Sequence, residues 1–214
     1  MALLAINTCE NTCAVLVRTQ AGDTLRTIEM RTGHDRALAE LTGQTLKAAS
    51  VSAQNIERIA VSIGPGSFTG VRIGVAFARA LALSCSAEIV GVHLLEVLAT
   101  QALTSGVELG IGLRDIGRGQ LGWCALGPQG LEQLPTVCEP EQLPDALLAL
   151  AAGRAWTVFG DTSCGIEPVE DCPQVSMSVL ANVAQVAALA TNPAVPWYGR
   201  APDAKLPGGI DPWA

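Results

Sequence analysis

The segment Ile63–Gly74, IGPGSFTGVRIG, constrains the fold more than any other part of the chain. It closes the apolar run IERIAVSIG, which reads as a strand. It opens VRIGVAFARALALS, which reads as a long apolar helix. A strand feeding a helix through a tight loop places the strand in a sheet that the helix covers, an α/β arrangement. Gly64, Gly66 and Gly70 can take positive φ and let another backbone or a phosphate approach closely. Pro65 stiffens the turn, and Ser67 or Thr69 caps the helix. The unpaired N–H groups of a helix start favour an anion. Loops of this composition are nevertheless more often structural turns than anion sites. The Lys-Ser/Thr pair of a P-loop is missing, and so is a GxGxxG dinucleotide fingerprint.

Around this segment the chain alternates. ALLAIN (2–7), AVLVRT (14–19) and LRTIEM (25–30) read as a three-strand antiparallel meander, with turns at 8–12 and 21–24. Residues 34–49 form an amphipathic helix weakened by Gly43. AEIVGV and HLLEVLATQAL follow as strand and helix, which completes a βββαβαβα unit over residues 1–106. A second unit, 107–214, restarts with VELGIGLRD and LGWCALG as strands and GLEQLPTV as a weaker third. It continues with a helix at 140–152, the strand AWTVFGD and a helix over 176–192. The Pro- and Gly-rich tail from Pro193 is expected to be extended and to pack through Trp197 and Tyr198. The common order of the halves hints at a duplicated fold.

Composition narrows the chemistry. Of 214 residues, 49% are apolar but only 4% aromatic, so the core is built from small aliphatic side chains suited to helices packed on sheets. The net charge of −7 repels phosphate, so any nucleic-acid role is expected to be indirect. Seven cysteines, an odd number without CxxC, fit neither a disulfide framework nor a zinc site. They read as free thiols, with Cys9, Cys85 and Cys164 as small buried hydrophobes. The short apolar N-terminus lacks a basic leader, and no apolar stretch approaches the length of a bilayer span without polar interruption. A cytoplasmic protein without membrane contact is expected.

GPGSFTGVRIG followed by an Ala/Leu-rich helix closely resembles the TsaB (YeaZ) family. LLAINTCENTCAVLV is similar to that family's first hairpin, with His34 where the family often has a histidine before its first helix. IVGVHLLEVLA is similar to its GVSTLE-type strand and helix, Asp115 and Gly119 partly to its DARxGEVY hairpin, and PWYGRAPDAKLP to its PxYxR tail. The resemblance covers nearly the whole chain. It implies an actin/sugar-kinase/heat-shock-chaperone-like fold of two RNase H-like lobes with mixed sheets, the second lobe reduced. The function it implies is that of a scaffold for threonylcarbamoyladenosine synthesis on tRNA. Such a scaffold binds a TsaD-like catalytic ATPase, works beside a TsaE-like small ATPase and forms a homodimer when alone.

Several positions depart from the resembled pattern. The family's usual acidic residue at the end of the first strand falls at Asn7, a weaker ligand for a hard cation. The expected Glu and Tyr of the second-lobe hairpin fall at Gln120 and Gly122, and its Arg is displaced to Arg118. His34 and His93 form no HxxxH or HExxH, so no metal motif is readable, and both read as surface or capping residues. No catalytic residue is assigned. Asn7, Thr8, Gly64, Gly66, Ser67, Thr69 and Gly70 are taken as a degenerate phosphate loop. No cofactor is expected beyond weak ATP or ADP binding at a partner interface. The contrasting reading is a stand-alone nucleotide-binding ATPase or a glycoprotease-like peptidase using a Cys–His pair.

Gly70, Gly74, Ala78 and Ala82 recur every fourth residue, a smooth stripe flanked by Val71 and Val75. On pattern alone it either seats the helix on its own sheet or lets a second chain approach. The resembled family pairs through its first-lobe helices. The stripe is therefore expected, together with Leu38 and Leu41, to form the partner interface.

Overall fold

The computed structural model describes residues 2–161, 169–171 and 174–199, with the backbone only at 169–171. Cys164, Cys172 and the tail beyond Gly199 lie outside the described residues. The first sheet has the order β3(Gly22–Glu29), β2(Thr12–Thr19), β1(Ala2–Asn7), β4(Ile56–Ser62), β5(Glu88–Val92). Every residue of β1 is buried, because it is covered on both faces as the central strand of a mixed sheet. It pairs antiparallel with β2 and parallel with β4. The second sheet repeats this order with β8(Gly130–Cys138), β7(Gln120–Gly127), β6(Leu109–Gly117), β9(Trp156–Gly160), β10(Val169–Asp171). Here β6 takes the part of β1, antiparallel to β7 and parallel to β9. Two lobes of one topology result, as the order of elements hinted, in the RNase H-like, actin/sugar-kinase type of α/β fold that the family resemblance implied.

Helices α1(His34–Ala48) and α2(Phe68–Cys85) belong to the first lobe, and α4(Leu143–Ala151) to the second. Helix α3(Leu94–Leu103) lies between the lobes. Its Leu94, Val97 and Leu98 join the first core, while Leu95 and Ala99 meet Cys124 of β7. Helix α5(Met177–Val186) returns to the first lobe, where Met177, Leu180, Ala181 and Ala184 complete the core. The division at 106/107 is therefore corrected: apolar residues late in the chain are needed to cover the first sheet. Trp197 N–H donates to the Ile63 carbonyl at 2.8 Å, Trp197 packs edge-on to His93, and Tyr198 stacks on Phe68. The tail thus packs through the two aromatics, as expected.

One expectation about a helix boundary is corrected. Helix α5 stops at Val186 rather than 192, because the Arg58 guanidinium bonds the carbonyls of Ala184, Gln185 and Ala187, a cation at the negative helix end. Among the described residues, α2 has the length and mean hydropathy of a bilayer span, but Arg72 and Arg79 interrupt it. The helix packs one face on β4 and exposes both arginines on the other.

Candidate functional site

A cleft of about 600 Å³ opens between the lobes. Its first-lobe wall is the β1–β2 turn with Cys9 and Glu10, followed by the glycine loop with Gly66 and Ser67. Its second-lobe wall carries Arg114 on β6 and Asp161 after β9. Glu10 and Arg114 meet across the cleft at 2.9 Å, both with only 12% side-chain exposure, and Arg114 also holds Asp161 at 2.8 Å. Asp161 accepts the Asp115 N–H at 2.7 Å. Burial raises the Glu10 carboxyl pKa above the usual range, and the Arg114 guanidinium and the Asn7 amide pull it back. Glu10, Arg114 and Asp161 were not singled out from sequence. They converge only when the lobes close on each other, although Arg114 adjoins the hairpin position Asp115 that was.

The residues expected to form a phosphate loop are divided by the structure. Gly66, Ser67 and Thr69 are exposed, whereas Asn7, Thr8, Gly64 and Gly70 are buried. The loop's glycines accommodate the protein's own backbone. A Cβ at Gly66 would overlap the Cys9 carbonyl, and one at Gly70 would overlap the Thr8 carbonyl. Thr8 Oγ1 donates to Gly70 O at 2.7 Å, and Ser67 N–H donates to Cys9 O at 2.7 Å. Ser67 is also the α2 cap, accepting the Gly70 N–H, as predicted. Thr8 is fully enclosed and faces no ligand space, so its assignment to a phosphate cleft is corrected. Gly64 packs against the Trp197 carbonyl. Among the described residues that line the cleft, Glu10, Asp115 and Asp161 oppose the one guanidinium of Arg114, a balance unfavourable to a polyphosphate.

The interface assignment is corrected as well. Leu38, Leu41, Gly70, Val71, Gly74, Val75, Ala78 and Ala82 are all buried within the first lobe, and Gly74 sits against Thr8 Oγ1. The stripe seats α2 on its own sheet, the other branch of the sequence reading. The opposite face of α2 is open and mixed: Phe68 is 51% and Leu83 85% exposed, and the exposed Arg72 and Arg79 share that face with them. Only 33% of the helix is buried.

The remaining chemical groups are muted. Burial pushes the Cys9 thiol up to about 12, with Ser62 Oγ at 3.0 Å, and the Cys13 thiol to about 11. Cys85 is half-buried rather than buried. His93 caps α3 by accepting the Leu95 N–H, and burial lowers its pKa to about 3. His34 corrects its expectation: it is buried at the first turn of α1, and Gly33 occupies the cap position. Among the described residues no group of three or more His, Cys, Asp or Glu is arranged to hold a metal.

Comparison with known proteins places this geometry. Residues 29–118 match the family model described as TsaD, tRNA N6-adenosine threonylcarbamoyltransferase. The chain is 26% identical over 172 residues to the Escherichia coli tRNA threonylcarbamoyladenosine biosynthesis protein TsaB, spanning 75% of this chain and 74% of that one. It is 34% identical over 100 residues to the Bacillus subtilis protein of the same name, 46% of this chain and 44% of that one. A Pseudomonas aeruginosa crystal structure, an uncharacterized protein with similarity to peptidase YEAZ, superposes with a TM-score of 0.79 at 25% identity. That superposition covers 93% of this chain and 99% of the other. Sequence motifs, lobe topology and a superposition over nearly the whole chain agree that this chain is similar to the TsaB (YeaZ) proteins along most of its length.

Proposed function

We propose that this chain is a non-catalytic subunit in the biosynthesis of tRNA threonylcarbamoyladenosine, one that binds a TsaD-type ATPase through the outward face of α2 and the adjoining α1. The observation that carries this reading is the filled glycine loop: the β1–β2 turn occupies the space beside Gly66 and Gly70. Asn7 supports it, because its side chain is fully committed to Glu10, Cys9 and Ser62 and presents no free carboxylate. The exposed Phe68 and Leu83, set among Arg72 and Arg79 on one face of α2, offer the apolar anchors and arginines that interfaces favour. In this reading the chain pairs with itself when the partner is missing, meets a TsaE-like small ATPase in the assembled complex and touches tRNA only indirectly. ATP or ADP binds weakly, at the partner interface alone.

A peptidase based on Cys9 is disfavoured, because a thiol held near 12 and enclosed by the core supplies no thiolate at neutral pH. Reconstitution of tRNA modification with the pathway's other proteins, with and without this chain, tests the proposal. Modification is expected only with it, and the isolated chain is expected to hydrolyse neither ATP nor peptide. Full modification without it would overturn the reading.

A further inference from the structure

On the side of the molecule formed by α3, the β7–β8 hairpin and the end of α5 lies a second cavity of about 470 Å³. Its walls include Leu126, Leu131 and Val183, and its rim carries Val186, which is 86% exposed. Glu96 of α3 opens into this apolar space. Its carboxylate has no hydrogen-bond or salt-bridge partner among the described residues, and burial raises its pKa. Every described salt bridge involves other acids, and the Arg154 side chain on the same lobe is held bidentately by Glu132. A half-buried carboxylate in apolar surroundings is costly unless a cation completes it.

We infer that this groove receives a lysine or arginine side chain of a partner protein, with its cationic head on Glu96 and its aliphatic stem along Leu126, Leu131 and Val183. The walls and the single carboxylate match the two parts of such a side chain. The chain's net charge of −7 draws a basic partner segment toward it. The exposed Val186 extends the apolar surface beyond the cavity, farther than a small amine would cover, and this favours a protein segment with an apolar residue beside the basic one. The site is separate from α1 and α2, so it stands or falls independently of the surface proposed for the TsaD-type ATPase.

The test is amide NMR on the isotope-labelled full chain, titrated with acetyl-Ser-Leu-Lys-Leu-Ser-amide and with the same peptide carrying norleucine in place of lysine. The expected result is shifts at Glu96, Leu131 and Val183, with the lysine peptide binding at least ~10-fold more tightly. Glu96→Gln, which keeps the shape of the side chain, is expected to erase that difference while leaving the spectrum folded. Equal affinity of the two peptides, shifts confined to other surfaces or no shifts at millimolar peptide would overturn the inference. Hexylamine binding as tightly as the lysine peptide would also overturn it, in favour of a small-amine site.

Discussion

Asn7 donates from Nδ2 to Glu10 Oε2 at 2.8 Å, while its Oδ1 accepts the Cys9 N–H at 3.0 Å and the Ser62 hydroxyl at 2.8 Å. An aspartate there would keep both acceptor roles but set a second carboxylate against Glu10. Asn7→Asp is therefore expected to destabilise the fold by about 1–3 kcal/mol at neutral pH. The folded state would raise the pKa of the carboxylate pair, so the cost should be small in acid and grow as pH rises through that elevated value. Denaturant titrations at acidic and mildly alkaline pH check this. A pH-independent cost would show that the two side chains are not coupled.

Arg114 is the guanidinium that ties Glu10 of the first lobe to Asp161 of the second. Arg114→Met should cost about 2–4 kcal/mol, because two carboxylates are left facing each other in a partly buried cleft. In the wild type, burial already holds the Glu10 pKa above its ordinary value of 4.5. Glu10 thus favours the folded state most below that value, and its contribution declines as pH rises toward the elevated pKa. Removing Arg114 should move that decline to higher pH. NMR titration of the Glu10 carboxyl in both proteins measures the shift directly.

Two glycines on neighbouring helices should respond in opposite senses to the same change. At Gly43, in the exposed interior of α1, an added Cβ meets nothing within 4 Å, so Gly43→Ala is expected to stabilise by roughly 0.5–1 kcal/mol. At Gly70 the same methyl overlaps the Thr8 carbonyl, and Gly70→Ala should destabilise by about 2 kcal/mol or more. Thermal unfolding of the pair decides whether the glycine loop is held by the β1–β2 turn. Equal effects at both positions would contradict that packing. Gly66→Val is expected to fail for the same steric reason, overlap with the Cys9 carbonyl.

Much of the fold was legible because its periodicities are clean. The alternation of β3, the apolar run of β1 and the strand–loop–helix around Ile63–Gly74 all formed where the pattern placed them. The Ser67 cap was legible from its place before the helix. The stripe Gly70, Gly74, Ala78 and Ala82 was visible, but spacing alone could not tell which body it faces. Small residues serve close packing on the chain's own Thr8 as well as on a partner. The Glu10–Arg114–Asp161 bridge was not legible, because its members are remote in sequence and none stands in a motif of fixed spacing. The end of α5 was set by Arg58, a residue of β4 that local helix patterning does not include.

In the proposed complex the outward face of α2, which carries the exposed Leu83, meets the TsaD-type partner. Leu83, 85% exposed, probes it without entering the core, whereas Ala78→Arg would bury a charge in the lobe itself. The decisive measurement is calorimetric titration of wild-type and Leu83→Asp protein with the TsaD homologue of the same organism, with circular dichroism confirming that the variant is folded. Binding should weaken by at least ~10-fold in the folded variant, consistent with loss of a desolvated interface side chain. Undiminished binding by a folded Leu83→Asp protein would contradict the account.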